Sequence, residues 1–440
     1  MARNMKDSGI EWIGEIPEDW ELVPGKYLFK NKKTIAGIAE EKYERLALTL
    51  NGVIKRSKIN SDGLQPANFM TYQILNKDEL VFKLIDLQNI STSRVGISPY
   101  KGIVSPAYII LKIINEDVDA KFYYYWYYSL YLNQVFNLLG DAGVRSNINS
   151  TELLNIPVPY LSYKRQKFIS KELSKIEIKI KNQMKLIYEQ IQTLEDYKKS
   201  VITEAVTKGL DKNVETKDSG IEWIGKIPKH WSIVKIKYIK KEDEPNSFID
   251  GDWIESNYIK SEGIRYITTG NIGDGQYIEQ GNGFVSKEDF ELLKCKYAYP
   301  GDLIFSRLNA PYGRSCILPN LYNKYVIAVD NVILRTKECY NKNYINYLTQ
   351  CIGYQMSVKD SASGTTMQRI SRTKLGNIQL PFPDTEEQLK IIVYLDKKTK
   401  TIDETISTKQ KQLQILEEYK KSLIYEYVTG KKEVEDVGTI

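Results

Sequence analysis

A single histidine limits the chemistry this chain could carry. His230 follows Lys229 and occupies, in an internal repeat, the position held by Asp19 in the other copy, so it reads as a surface residue. Neither a histidine-based triad nor a histidine metal site can be assembled around it, and no metal ligand set is expected. The four cysteines, Cys295, Cys316, Cys339 and Cys351, form no Cys-x-x-Cys pair and read as buried thiols, not as a disulfide framework or a zinc site. The string GNIGDG at 270–275 lacks GxGxxG spacing and sits between strand-like runs, which makes it a turn. No GxxxxGK[ST] loop occurs to cradle a triphosphate. The Asn/Asp-Pro-Pro-aromatic motif with which amino-methyltransferases hold their target amine is also absent. Pro383-Asp384-Thr385-Glu386 matches part of a PD-(D/E)xK nuclease pattern, but no correctly spaced Glu-x-Lys follows and the segment opens a helix. A chain without a catalytic constellation is better read as a recogniser or a scaffold.

The elements that would position such a recogniser are duplicated. Residues 7–20 read DSGIEWIGEIPEDW and residues 218–231 read DSGIEWIGKIPKHW, an offset of 211. The changes, Glu15 to Lys226, Glu18 to Lys229 and Asp19 to His230, are all charged or polar, as on a packing segment with a freely varying wet face. A second match, LEDYKKSVITEAVTKG (194–209) against LEEYKKSLIYEYVTGK (416–431), has an offset of 222. That larger offset already holds at Phe122 against Tyr344, so the extra residues lie in the middles, which share little beyond scattered apolar positions.

Each repeat closes with a helical pattern. Leu173, Ile176, Ile180, Ile187, Ile191 and Leu194 in the first copy, and Leu395, Ile402, Ile406, Leu413, Leu416 and Leu423 in the second, follow the steps of an amphipathic or coiled-coil seam with Lys, Glu and Gln between them. IPVPY (156–160) and LPFP (380–383) precede the two runs, where proline stops any helix arriving from upstream. A run of about 40 residues reaches roughly 60 Å. Two matching seams of that length predict one helix against the other, antiparallel, with pseudo-twofold symmetry. The competing arrangement packs each helix on its own domain.

The middles carry β-type runs at 45–55, 94–113, 265–278 and 301–336, each half then turning to shorter helical stretches at 121–140 and 343–358. The predicted class is α+β: two domains of strands plus short helices, joined by two long antiparallel helices forming a coiled coil, an internal pseudo-twofold repeat. The expected boundaries are 1–160 for the first domain, 161–210 for the first long helix, 211–383 for the second domain, 384–430 for the second helix and 431–440 for a tail. The aromatic cluster from Phe122 to Tyr128 covers every face of a helix and reads as core plus a partner contact. Apolar residues at 42%, charged residues at 27% and a net charge of +6 describe a globular protein that permits nucleic acid as a partner without demanding it. No apolar run approaches the roughly 18 residues of a membrane span and no secretory leader is evident, so a cytoplasmic location is expected.

Taken in order, these segments resemble the specificity (S) subunits of type I restriction-modification systems. The resemblance rests on the paired SGIEWIG-x-IP-xx-W openings, GDLIFSR (301–307), SGTTMQRIS (363–371) leading to LPFP and EEQ (386–388), and helices ending in LE-[DE]-YKKS. The first copy departs at its helix entry, where YKRQ (163–166) stands for TEEQ (385–388) and only the glutamine is kept, Gln166 against Gln388.

The resemblance implies a chain without catalysis of its own. Each middle would be a target-recognition domain reading one half of a split, asymmetric site on double-stranded DNA, and the paired helices would set the gap. Two methylation subunits would dock on the helices and restriction subunits would join them, so S-adenosylmethionine, ATP and Mg belong to partners and no cofactor to this chain. Base edges are read by Arg, Asn and Gln, while Lys, Ser and Thr fix register on phosphates. Candidate contacts on polar, basic loops are Lys55, Arg56, Ser57 and Lys58; Ser91, Thr92, Ser93 and Arg94; and Arg145, Ser146 and Asn147. In the second copy they are Ser306, Arg307, Asn309 and Arg314, then Thr365, Thr366, Gln368 and Arg369. The alternative is a coiled-coil scaffold without DNA specificity, which leaves the divergence of the middles unexplained.

Overall fold

A computed structural model describes residues 4–59, 68–88, 94–140, 147–364 and 368–433. The chain divides into two units, residues 1–187 with 410–440 and residues 188–409. Each unit opens on a small antiparallel hairpin, Met5–Asp7 with Glu15–Pro17 in the first and Thr216–Asp218 with Lys226–Pro228 in the second. The shared Asp-Ser-Gly has a local cause. Asp7 accepts a hydrogen bond from the amide of Gly9 at 3.0 Å, Asp218 from that of Gly220 at 2.9 Å, and both glycines hold φ near 70°. An Asx turn of this kind favours glycine at the left-handed position.

The tryptophan of each opening leads into a strand paired with the segment just before the long helix. Glu21–Pro24 lies antiparallel to Pro157–Tyr160, and Ser232–Lys235 to Gln379–Phe382. In a two-stranded ribbon every strand has a free edge, so Pro157, Pro159 and Pro381 are accommodated.

Between these matched ends the divergent middles share the topology of their main sheet. The first unit orders Phe29–Asn31, Ile109–Ile113, Leu80–Phe82 and Val95–Ile97 in one antiparallel sheet; the second orders Phe248–Asp250, Asn331–Leu334, Leu303–Ser306 and Ser315–Ile317 in the same succession. A second sheet contains a parallel pair in each unit, Arg45–Thr49 beside Gly102–Val104 and Ile264–Ile267 beside Tyr325–Ile327; antiparallel strands Gly52–Arg56 and Gln73–Leu75 flank the first pair and Phe284–Val285 extends the second. Central strands such as Leu80–Phe82 and Leu303–Ser306 are buried at every residue, which is why they read as continuous apolar runs. The helix Ala120–Leu132 packs Phe122, Tyr123, Tyr125, Trp126 and Tyr127 into the first unit's main core.

The long helices run over Tyr163–Lys208 and Thr385–Val428. Asp384 caps the second by accepting from the Glu387 amide at 2.8 Å, so Pro383-Asp384-Thr385-Glu386 is a helix start. In the first unit Ile169 and Leu173 of the first helix share a core with Ile424 and Val428 of the second; in the second unit Val201, Ile202, Ala205 and Val206 share one with Ile391, Ile392 and Leu395. Both arrangements left open by the seam pattern are therefore present. Each helix begins on its own domain and ends in the core of the other.

Within the second unit Lys409 bonds Gln190 at 2.7 Å and Lys198 pairs with Asp403 at 2.7 Å, an antiparallel register. Leu173, Ile180, Ile191, Leu395, Ile402, Leu413 and Leu423 are buried. Ile176, Ile187, Leu194, Ile406 and Leu416 are half-buried. The division between units falls after Ile187 on one helix and after Lys409 on the other, positions that the 222-residue offset makes equivalent. Among the described residues no helix is long and apolar enough to cross a membrane.

Candidate functional site

In each unit the loop that follows the central strand meets the segment that precedes the return strand. In the first, the Ile148 amide donates to the Leu84 carbonyl at 3.0 Å and the Asp86 amide to Asn147 Oδ1 at 3.3 Å. In the second, the Ile370 amide donates to the Arg307 carbonyl at 3.1 Å, Leu308 bridges Arg369, and Tyr312 donates to Gln368 Oε1 at 2.8 Å. Ile148 and Ile370 are equivalent at the 222-residue offset. The fold thus joins Leu84 and Asp86 to Asn147 and Ile148, and Arg307, Leu308 and Tyr312 to Gln368, Arg369 and Ile370, as one loop pair per unit. Beside the first lies a cleft of about 330 Å³ lined by Asn31, Lys33, Gln73, Tyr108 and Asn147.

The residues expected at the surface divide. Arg56 and Ser57 are exposed on the edge of the other sheet, Lys55 pairs with Glu44 at 3.4 Å and Lys58 with Glu40 at 2.8 Å. Asn147, Asn309, Gln368 and Arg369 are exposed, with Arg369 held by Asp330 at 2.9 Å. Arg94, Ser306, Arg307 and Arg314 are corrected by the structure: each is at most 9% exposed and faces inward. Ser306 donates to the Leu308 carbonyl at 3.2 Å, and Arg307 donates to the Val329 carbonyl at 2.5 Å and pairs with Asp250 at 3.0 Å. Burial pulls the guanidinium pKa down at Arg94, Arg307 and Arg314. Ser91, Thr92, Ser93, Arg145, Ser146, Thr365 and Thr366 lie outside the described residues.

The second sheet of the second unit holds a buried arginine that the sequence pattern does not mark. Arg265, 1% exposed, donates to the carbonyls of Tyr266, Gly283, Gln280 and Gly281 and pairs with Glu279 at 3.0 Å, fastening the 279–283 loop to its strand. Its only signal is the weak likeness of RYITTG to RLALTLNG. Cys339, read as buried, is exposed; all four thiols are free. Among the described residues no group of three or more acidic, His or Cys side chains is placed to hold a metal.

The helix entries explain both the retained glutamine and the charge changes. Gln166 accepts from the Asp119 amide at 2.8 Å and donates to the carbonyls of Asp117 at 3.0 Å and Leu161 at 2.8 Å. Gln388 does the same with Asn341, Cys339 and Pro383, at 2.8, 2.9 and 3.0 Å. Every partner is equivalent at the 222-residue offset. Gln388→Leu keeps the volume and strands three buried backbone groups, so it should lose about 2–4 kcal/mol in denaturant unfolding, as should Gln166→Leu. A loss under about 0.5 kcal/mol would contradict the strap.

Asp19 lies 3.9 Å from Arg165, while His230 lies 2.8 Å from Glu387. The wet-face changes are therefore coupled: where the opening exchanges Asp for His, the helix entry exchanges Arg for Glu. Glu387 also accepts from the Trp231 indole at 3.1 Å. A further matched pair ties the short helices down. Tyr125 donates to Glu177 at 2.8 Å, and its equivalent Tyr347 to Asp396 at 2.6 Å.

Known proteins share this plan. The family model described as the type I restriction modification DNA specificity domain matches residues 228–416. The chain is 25% identical over 433 residues to the type I restriction enzyme MjaVIII specificity subunit of Methanocaldococcus jannaschii, covering 96% of this chain and 95% of that one. To the MjaIX specificity subunit of the same archaeon it is 28% identical over 203 residues, covering 44% of this chain and 43% of that one. In fold it matches a solved chain from work on complex assembly and conformational transition of the type I R-M system, with a TM-score of 0.69 and 14% identity, covering 95% of this chain and 99% of that one. With two openings, two divergent middles and two long helices, the chain is similar along nearly its whole length to specificity subunits of type I restriction-modification systems, and residues 228–416 match the DNA specificity domain of that family.

Proposed function

We propose that this chain is the sequence-reading subunit of a type I restriction-modification complex, each unit's loop pair reading one half of a bipartite, asymmetric DNA site. One observation carries the reading: the two units keep the same strand order in their main sheet and the same glutamine strap at the helix entry while the loops on equivalent strands differ. A scaffold has no use for unlike loops on like frames. Exposed Arg56, Asn147, Asn309, Gln368 and Arg369 supply the side-chain types that reach base edges or phosphates.

The chain itself is non-catalytic in this reading. Methylation subunits bring S-adenosylmethionine, restriction subunits bring ATP and Mg, and the long helices dock the former while setting the gap between half-sites. The matched LE-[DE]-YKKS turns support docking at two equivalent places. Tyr197 and Tyr419 occupy the same position in each and are 47% and 51% exposed, so packing inside the chain does not require their identity. Tyrosine is favoured at protein interfaces.

The test is to purify the full chain with an adenine-specific methyltransferase encoded beside it and map methylated adenines across a genome. The expected result is one split, non-palindromic motif. Methylation without a split motif would reject the reading.

A further inference from the structure

Two of the three buried arginines that the sequence pattern places on loops, Arg94 and Arg314, are the same residue in the two units. Strand register establishes this. Leu80 lies opposite Ile97 and Leu111, and Leu303 lies opposite Ile317 and Leu334. Phe82 then faces Val95 and Phe305 faces Ser315, and the residue just before each partner is Arg94 or Arg314.

Both side chains turn back onto the loop leaving the central strand. Arg94 Nη1 donates to the Ile85 carbonyl at 2.8 Å and Nη2 to the Asp86 carbonyl at 2.6 Å. Arg314 Nη1 donates to the carbonyls of Leu308 at 3.3 Å, Asn309 at 3.2 Å and Pro311 at 3.3 Å. Its Nε and Nη2 reach Ile272 and Thr269 at 2.5 and 2.8 Å, tying in the 269–272 turn. Asp86 and Asn309, four residues beyond Phe82 and Phe305, both hold left-handed backbone, φ 53° and 62°. That conformation is disfavoured for residues other than glycine and needs outside support. The two loops, unlike in sequence and length, thus share a feature near their start: an exposed Asp or Asn in left-handed backbone whose carbonyl accepts from a buried guanidinium.

We infer that Arg94 and Arg314 are positioning residues for base reading, each fixing the loop after its unit's central strand and so controlling discrimination in one half-site only. The inference rests on the proposed reading of split DNA. A lysine cannot replace the guanidinium, because one ammonium cannot bond the Leu308, Asn309 and Pro311 carbonyls together with those of Ile272 and Thr269, and at Arg94 it lacks the second nitrogen that takes Asp86 while the first takes Ile85.

The experiment uses the full chain in complex with its methyltransferase and duplexes in which one half-site at a time is randomised. R314K should lower base discrimination at least tenfold in the half read by the second unit and leave the other half unchanged; R94K should do the reverse. Two exposed substitutions report on the loop without opening the core. N309G removes a candidate contact but keeps the left-handed backbone and should lose less discrimination than N309V, which opposes that backbone and should mimic R314K.

Unchanged discrimination in both R314K and N309V would overturn the inference. Equal loss in both halves, or equal loss in N309G and N309V, would also overturn it, the latter making Asn309 a direct contact. If R314K fails to fold, the N309G and N309V comparison decides alone. A wild-type complex without base preference in either half would instead reject the proposed function.

Discussion

Trp231→Ala should destabilise the chain by about 3–5 kcal/mol, and Trp20→Ala by a similar amount, read as the shift in denaturant unfolding of the purified full chain. The reason goes beyond the loss of a large buried ring. Trp231, 1% exposed, meets both long helices inside its unit. Its indole donates to Glu387 at the start of one, and a Cβ placed on Gly209, just past the end of the other, would lie 3.4 Å from its ring. Trp20 repeats the arrangement: it packs edge-on against Phe122 at 6.5 Å, and a Cβ on Gly430 would come within 3.1 Å of its ring and 2.5 Å of Pro17.

The opening segment is therefore a socket into which the end of the other copy's helix is seated by a left-handed glycine. Removing the ring empties a site where three elements meet, and each can relax only by pulling on another. Tyr197→Ala, on an exposed helix face, should stay within about 0.5 kcal/mol and serves as the contrast. A Trp231→Ala loss below about 1 kcal/mol would show that the helix ends are held elsewhere.

That socket also explains what could be read from the chain alone. In the fourteen-residue openings Pro17 with Trp20, and Pro228 with Trp231, pack on a helix-end glycine as well as in their own unit's core, which leaves them little room for substitution. The seam was readable for a similar reason, since helical periodicity survives substitution among Leu, Ile and Val. The charge pairing was visible only as two separate differences, Asp19 to His230 and Arg165 to Glu387. Their connection needs the spatial approach of residues more than 140 positions apart.

The loop sites were the least legible. Arg94 and Arg314 sit in stretches with no matched neighbours, and the loops before them differ by three residues, so a constant offset cannot align them. A buried arginine whose partners are carbonyls leaves no compensating acidic residue in the sequence. It looks like any basic loop residue, as Arg94 and Arg314 do. Strand pairing restores the alignment because hydrogen-bond register, unlike loop length, is kept. Asn147 and Gln368 were placed among the contacts on residue type and are exposed beside the loops they join, which leaves them as candidates for the proposed function.

Removing seven residues from each long helix around the equivalent points Tyr188 and Gln410 should shorten the gap between half-sites while leaving both half-sequences intact. Seven residues are two turns of a seam with 3.5 residues per repeat, so the apolar stripe stays in phase across the excision. The removed length is about 10 Å, or roughly three base pairs at 3.4 Å each. The excision must be matched. Lys198–Asp403 and Lys409–Gln190 record an antiparallel register, and shortening one helix alone would slide every later seam residue past its partner. A single-helix excision should therefore lower stability by several kcal/mol, because buried Leu413, Leu423 or Ile191 would lose their places. Mapping methylated adenines with the doubly shortened chain distinguishes the outcomes. A gap reduced by two to four base pairs supports helices that measure the site. An unchanged gap would show that the loops and the partner subunits set the spacing, and altered half-sequences would show that helix length is coupled to the recognition loops themselves.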